Sequence, residues 1–225
     1  MKTANRSSRG FVLALVAIFV TGLGVVAVLA NSRTSELARG AEVTGIPIGS
    51  DVESTAPLVI DGAPLVEMPA SGVLIDPTED PAIGEIAPTV RGTDFSGNEQ
   101  AIAADGRGKA ILFLAHWCPD CQREVSLVVD LLAASRPEGF DLIAVSTAVD
   151  SGAANYPPNA WLATERWSDP IIRDSALSEG LRAYGGGGFP YVVYLDGDNR
   201  VVGRSSGELD EATIRRLWSL TIAQR

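Results

Sequence analysis

Ala115-His116-Trp117-Cys118-Pro119-Asp120-Cys121 closes an apolar run, residues 110–115, and opens a stretch with the apolar spacing of an amphipathic helix. The two cysteines are the only ones in the chain, and two residues separate them. A loop that short restricts the unfolded chain little, so the pair is a poor structural staple. The usual intracellular readings of such spacing are half a zinc site or a redox pair.

Working outward, residues 110–115 form a continuous apolar run of strand length, as in a central strand buried on both faces. Val125, Leu127, Val128, Val129, Leu131 and Leu132 predict a helix that ends near Arg136-Pro137. Residues 140–146 read as the next buried strand, followed by a helix around 159–166 and a short strand at 170–172. A helix is expected at 176–184, ended by four glycines, then a strand at 189–195. Asp196-Gly197-Asp198-Asn199 turns into a further strand, and residues 209–222 close the chain as a helix with acids at its start. Upstream, residues 87–90 lead into a hairpin with Phe95-Ser96-Gly97-Asn98 as its turn signal. The order βαβ and then ββα predicts an α/β fold, a central mixed sheet flanked by helices.

The N-terminal third has a different texture. Residues 1–10 are a basic N-terminus, and residues 11–30 are twenty uncharged, mostly apolar positions. Twenty residues at 1.5 Å each suffice to cross about 30 Å of hydrocarbon. Lys2, Arg6 and Arg9 precede the run, so the N-terminus is expected to stay cytoplasmic and the rest to lie outside. The competing reading is a cleaved signal peptide ending near Val28-Leu29-Ala30, although signal cores run about 7–15 residues. Residues 31–82 carry two basic and nine acidic residues and six scattered prolines, which favours an extended, solvated extracytoplasmic tether. Within it, Leu58-Val59-Ile60 and Gly72-Val73-Leu74-Ile75 are short apolar pieces able to pair locally or dock on the domain. Residues 83–225 hold 13 basic and 19 acidic residues. No basic face follows residue 30, which excludes nucleic-acid binding as a function.

In order along the chain, Ala87-Pro88, Gly108-Lys109, Trp117-Cys118-x-x-Cys121, Glu124, Gly188-Phe189-Pro190 and Leu195-Asp196-x-Asp198 resemble the thioredoxin-like superfamily. Within it they are most similar to the membrane-anchored TlpA/ResA-type thiol-disulfide oxidoreductases, over about residues 83–225. The resemblance implies a thioredoxin-like fold and disulfide exchange through Cys118 and Cys121, with no cofactor beyond the redox-active disulfide that the two form. It implies protein thiol or disulfide substrates and an electron donor in the membrane of the CcdA or DsbD type. Cytochrome c maturation is the best-known branch of that family.

A cysteine at a helix N-terminus meets the positive end of the helix dipole and unpaired N–H groups, which favours thiolate. Cys118 is therefore the expected attacker and Cys121, one turn further in, the resolver. Pro119 at the helix start gives up no needed N–H. Asp120 opposes a second negative charge between the sulfurs and argues for a reductase over a disulfide-forming oxidase. The family's more usual proline lies next to the second cysteine; here it follows the first.

By the same resemblance Pro190 occupies the position of a cis proline opposite the active site, Phe189 and Trp117 shape the substrate groove, and Glu124 shuttles a proton to or from Cys121. The buried acid that thioredoxins carry six residues before the first cysteine is replaced here by Leu112. His116, the only histidine, is read as a rim residue at the strand end, with thiolate stabilisation or metal binding as the alternatives. A copper-binding module built on His116, Cys118 and Cys121 lacks the wider cysteine spacing and distant histidine of such relatives. A haem attachment site would need histidine where Gln122 stands.

Overall fold

In the computed structural model, residues 53–68 and 79–223 are described, and all of them belong to one unit, Gly45–Arg225. The apolar run at 11–30 and the piece at 72–75 lie outside the described residues. The five-stranded sheet follows the order β6-β5-β4-β7-β8. Its strands are β4 (Gly108–Leu114), β5 (Phe140–Ser146), β6 (Ile171–Arg173), β7 (Tyr191–Leu195) and β8 (Val201–Ser206). β4 pairs parallel with β5 and antiparallel with β7, so the sheet is mixed.

The central position of β4 follows from its composition, since every residue from Gly108 to Leu114 is buried. Side chains alternate across a strand, so Ala110, Leu112 and Leu114 enter one core and Ile111 and Phe113 the other. The first core lies under α1 (Pro119–Ala134), α2 (Pro158–Thr164) and α4 (Glu211–Ile222), which contribute Val125, Leu132, Trp161, Leu217 and Trp218. The second core holds Tyr184, Tyr191 and Val193 from the glycine loop and β7. Full burial of each such side chain stabilises the fold by about 1.5–3 kcal/mol.

The second core is covered by a three-stranded antiparallel sheet, β1 (Val59–Asp61), β2 (Thr89–Thr93) and β3 (Glu99–Ile102), in that order. Asp94 closes the β2–β3 turn by accepting from the amides of Ser96 and Asn98. β1 and the chain that follows it correct the expectation of a solvated tether over the described residues 53–68. Val59 to Asp61 pair with β2, and the amides of Leu65 and Met68 donate to the carbonyls of Ala183 and Gly185. Leu65 and Met68 are buried, and Arg204 reaches across to the Val66 carbonyl at 2.7 Å. Leu58-Val59-Ile60 pairs as its apolar character allowed, whereas the anchors Leu65 and Met68 were not singled out in the sequence.

A second correction concerns the helix expected at 176–184. Only α3 (Glu179–Ala183) forms, because Ser178 adopts a left-handed backbone (φ 54) that helix cannot propagate through. The buried Asp174 carboxylate binds the amides of Ser175, Gly180 and Leu181 and the hydroxyl of Thr147, fixing the turn from outside the helix. A Cβ on Gly180 would meet Asp174 Oδ1 at 3.0 Å, so glycine there lets the helix start approach the carboxylate.

Candidate active site

Cys118 ends the loop after β4 and is the N-cap of α1, with extended backbone angles and Pro119 as the first helical residue. Its sulfur accepts from the amide of Cys121 at 3.2 Å, so Cys118 fills the place that serine or aspartate takes in other helix caps. Both cysteines are free thiols and both are buried, Cys118 at 5% exposure and Cys121 at 0%. Cys118 is thus the more accessible of the two, although it is itself buried. Burial, followed by the Cys118 hydrogen bond, pushes the Cys121 thiol well above its ordinary range.

Glu124 lies one turn beyond Cys121 on the buried face of α1, with 2% exposure. Burial pushes its carboxyl up to about 7, the amide of Leu209 donates to it and works the other way, and the Glu208 charge adds to the rise. Oε2 has no hydrogen-bond partner among the described residues. Glu124 is close enough to raise Cys121 electrostatically, and Tyr194 from β7 also feels its charge. A carboxyl poised near neutrality beside a reluctant thiol suits proton exchange between the two.

β7 brings the opposite wall. Phe113 pairs with Tyr191, so the residues before Tyr191 lie beside the end of β4. The Phe189–Pro190 peptide bond is cis, with Pro190 buried and Phe189 half-buried. The Trp117 and Phe189 rings meet edge to face at 5.8 Å, and Trp117 remains 38% exposed. Its indole N–H donates to the Ala148 carbonyl at 2.8 Å, which ties the groove wall to the loop after β5. Pro119 is exposed at the rim beside them.

Asp120 is half-exposed, and its carboxylate is ion-paired with Arg123 one turn along. Arg123 also binds Glu208 at 2.9 Å. The repulsion expected between Asp120 and the sulfurs therefore acts through a neutralised pair. Arg123, Glu208 and Leu209 escaped the sequence reading. The Asp120–Arg123 spacing was a legible signal, whereas Glu208 reaches the site only through the fold.

His116 is not a rim residue. It is 1% exposed, Nδ1 lies 2.8 Å from the Ala154 carbonyl, and Nε2 accepts from the Asp150 amide at 3.2 Å. A carbonyl only accepts, so Nδ1 carries the proton and both ring nitrogens are engaged. The imidazole serves the 150–157 loop, and neither a metal nor a thiolate receives it.

A mixed sheet with a C-x-x-C pair capping the helix after its central strand is the arrangement of a thioredoxin-like fold. No protein-family profile matches the chain. Among curated proteins it is similar to the thiol-disulfide oxidoreductase ResA of Geobacillus kaustophilus, 26% identical over 143 residues that cover 60% of this chain and 75% of the relative. The ResA of Geobacillus thermodenitrificans is 28% identical over 139 residues, with the same coverage. Among solved structures, the thiol:disulfide interchange protein DsbE of Chlorobium tepidum superposes with a TM-score of 0.54 at 19% identity, covering 62% of this chain and 98% of that one. StoA of Bacillus subtilis gives 0.50 at 16% identity, covering 61% and 98%. At such identities the superpositions speak to the fold alone. The curated relatives and the shared fold together support a TlpA/ResA-type thioredoxin-like protein, similar to relatives that are thiol-disulfide oxidoreductases.

Proposed function

We propose that the protein reduces disulfides in protein substrates outside the cytoplasm, held to the membrane by residues 11–30. The observation that carries the direction is the fully buried Cys121 thiol, pushed up by desolvation beside a buried acid. Thiolate stabilisation makes a strong oxidant, and an environment that disfavours thiolate leaves a more reducing pair.

The exchange proceeds in two displacements. The Cys118 thiolate attacks one sulfur of the substrate disulfide; that S–S bond breaks, a mixed disulfide forms, and the first substrate sulfur leaves as a thiolate and takes up a proton. Glu124, as carboxylate, then takes the proton from Cys121. The Cys121 sulfur attacks Cys118, closes the Cys118–Cys121 disulfide and expels the second substrate thiolate, to which the proton is returned. Two electrons have passed to the substrate, which becomes a dithiol while the enzyme becomes a disulfide. Trp117, Phe189 and Pro190 hold the extended substrate chain across Cys118. No cofactor beyond the cysteine pair takes part. By the resemblance to TlpA/ResA-type proteins, re-reduction draws on a transmembrane dithiol donor of the CcdA or DsbD type, and the substrate is an apocytochrome or haem-handling partner.

The deciding measurement is the Cys118–Cys121 potential, obtained by equilibrating the purified protein with a glutathione redox buffer. A value near that of thioredoxin, about −270 mV, is expected; one near about −120 mV would instead make the protein a disulfide-forming oxidase.

A further inference from the structure

The loop between β5 and α2 is held with more polar contacts than a connection needs. The carboxamide of Asn155 donates to the His116 carbonyl at 3.2 Å, and that of Gln122, the residue after Cys121, donates to the same carbonyl at 3.3 Å. With the two imidazole contacts, four hydrogen bonds converge on the residue two positions before Cys118. Tyr156 packs edge-on against the imidazole at 5.9 Å and stays 44% exposed. The loop and α2 thereby wall a cleft of about 260 Å³ on the α1 side of the cysteines.

The chemistry of that cleft is one-sided. Its lining includes Gln122, Asn155, Tyr156, Trp161, Thr164 and Glu165, and no cation among the described residues. Because the His116 carbonyl only accepts, the NH2 ends of both carboxamides are assigned to it and their oxygens remain acceptors. Thr164 spends its hydroxyl proton on the Ala160 carbonyl, so its oxygen can only accept elsewhere. Glu165 is held by donors from two sides, the Ser126 hydroxyl at 2.8 Å and the Trp161 indole at 3.3 Å, which fixes the carboxylate and leaves lone pairs over. The neighbouring Arg166 is committed to Asp130 on the surface. A fixed carboxylate, several acceptor oxygens and aromatic rings together match a guanidinium or ammonium group and mismatch an anion.

We infer that this cleft is a subsite for an arginine or lysine side chain of the protein substrate, lying a few residues from the cysteine that Cys118 attacks. The inference rests on the proposed exchange with protein disulfides and adds a rule for choosing among them. A cationic side chain in the cleft also suits an acidic protein, whose formal charge is −10.

The test uses the full chain and short peptides with one cysteine as a mixed disulfide, carrying arginine or its uncharged isostere citrulline at each flanking position in turn. In parallel, the same peptides with serine for cysteine are titrated by the change in tryptophan fluorescence, which reads binding without exchange. At one register the arginine peptide is expected to bind about tenfold more tightly than its citrulline partner and to show a lower KM at similar kcat. Glu165→Gln, which keeps one acceptor oxygen for the Trp161 indole and turns an NH2 donor toward the Ser126 hydroxyl oxygen, and Tyr156→Leu should each shrink that ratio, and added salt should do the same. Equal affinity for the two peptides at every register would overturn the inference, as would a preference that survives both substitutions. Absence of exchange with every peptide would refute the oxidoreductase reading, while the titration would still decide the subsite.

Discussion

Glu124 joins two observations that usually exclude each other: a carboxyl of 2% exposure and a carboxyl oxygen without a partner among the described residues. Burial is the main cause that lifts it from 4.5 to about 7, so the folded protein holds this proton more tightly than the unfolded chain does. For an acid with a raised value the folded state is favoured most below the unfolded pKa and loses stability as pH rises toward the folded one. The loss begins near 4.5, is complete above about 7, and amounts to roughly 3 kcal/mol. Glu124→Gln should therefore be more stable than the parent at pH 8 by up to that amount and equal to it near pH 4, as read by urea unfolding at both pH values. The same substitution should slow release of the mixed disulfide by about 10²-fold or more near pH 7 and flatten its pH profile around 7, measured by stopped-flow exchange. A gain in stability accompanied by undiminished exchange would show a carboxylate that is merely tolerated. Glu124, three residues after Cys121, was legible through the resemblance to ResA-type proteins. The Leu209 amide and the Glu208 charge that tune it were not, since contacts 85 residues apart, such as Arg123 with Glu208, leave no periodicity in a sequence.

Among the elements, the regular ones were readable because their residues repeat with a helical or strand period: β4 and β5 as apolar runs, α1 as an apolar stripe after a proline. The 148–157 loop has no period, and its middle is held by the His116 imidazole, a side chain outside the loop, with Trp117 fastening its start at Ala148. A lone histidine two residues from a reactive cysteine invites a chemical reading, and only the fold shows that both nitrogens are already taken. His116→Ala would open a cavity at the end of β4 and release the amide of Asp150 and the carbonyl of Ala154 to solvent. A loss of about 1–3 kcal/mol is expected, smaller than for a fully buried pair because the loop itself faces water. Hydrogen exchange should then show lost protection at Asp150 while the β4 and β5 amides keep theirs; unchanged protection at Asp150 would mean that the imidazole does not order the loop.

Across the whole molecule a buried ion pair joins Arg204 to Asp80, 124 residues away, with side chains 0% and 1% exposed. Burial works against the Asp80 carboxylate, but the Arg204 guanidinium and the Ala82 amide outweigh it and hold the carboxyl below its ordinary range. Arg204 also reaches the Val66 carbonyl and the Tyr191 hydroxyl, so one guanidinium fastens both N-terminal segments to β7 and β8. Arg204→Met would strand the Asp80 charge in the interior and cost about 3–5 kcal/mol at pH 7 by denaturant unfolding. Because a depressed carboxyl stabilises above its unfolded pKa of 3.8 and stops doing so as pH falls through the folded value, the gap between parent and variant should narrow in acid. Scattered acids and prolines made residues 31–82 read as a tether; Leu58-Val59-Ile60 was legible as a piece able to pair, but the anchors Leu65 and Met68 fall outside any repeat.

The short β1 strand has one more consequence, for self-association. β2 lies between β1 and β3, so without β1 it would present a row of unpaired amides and carbonyls to any other extended chain. As the outermost strand, β1 is a poor template for the next copy: it is three residues long, Pro57 lies two residues before it, and Gly62 follows in a left-handed turn (φ +116). On the far side β3 begins with Glu99, a charge that discourages pairing. The three-stranded sheet thereby offers an extended chain little edge on which to pair.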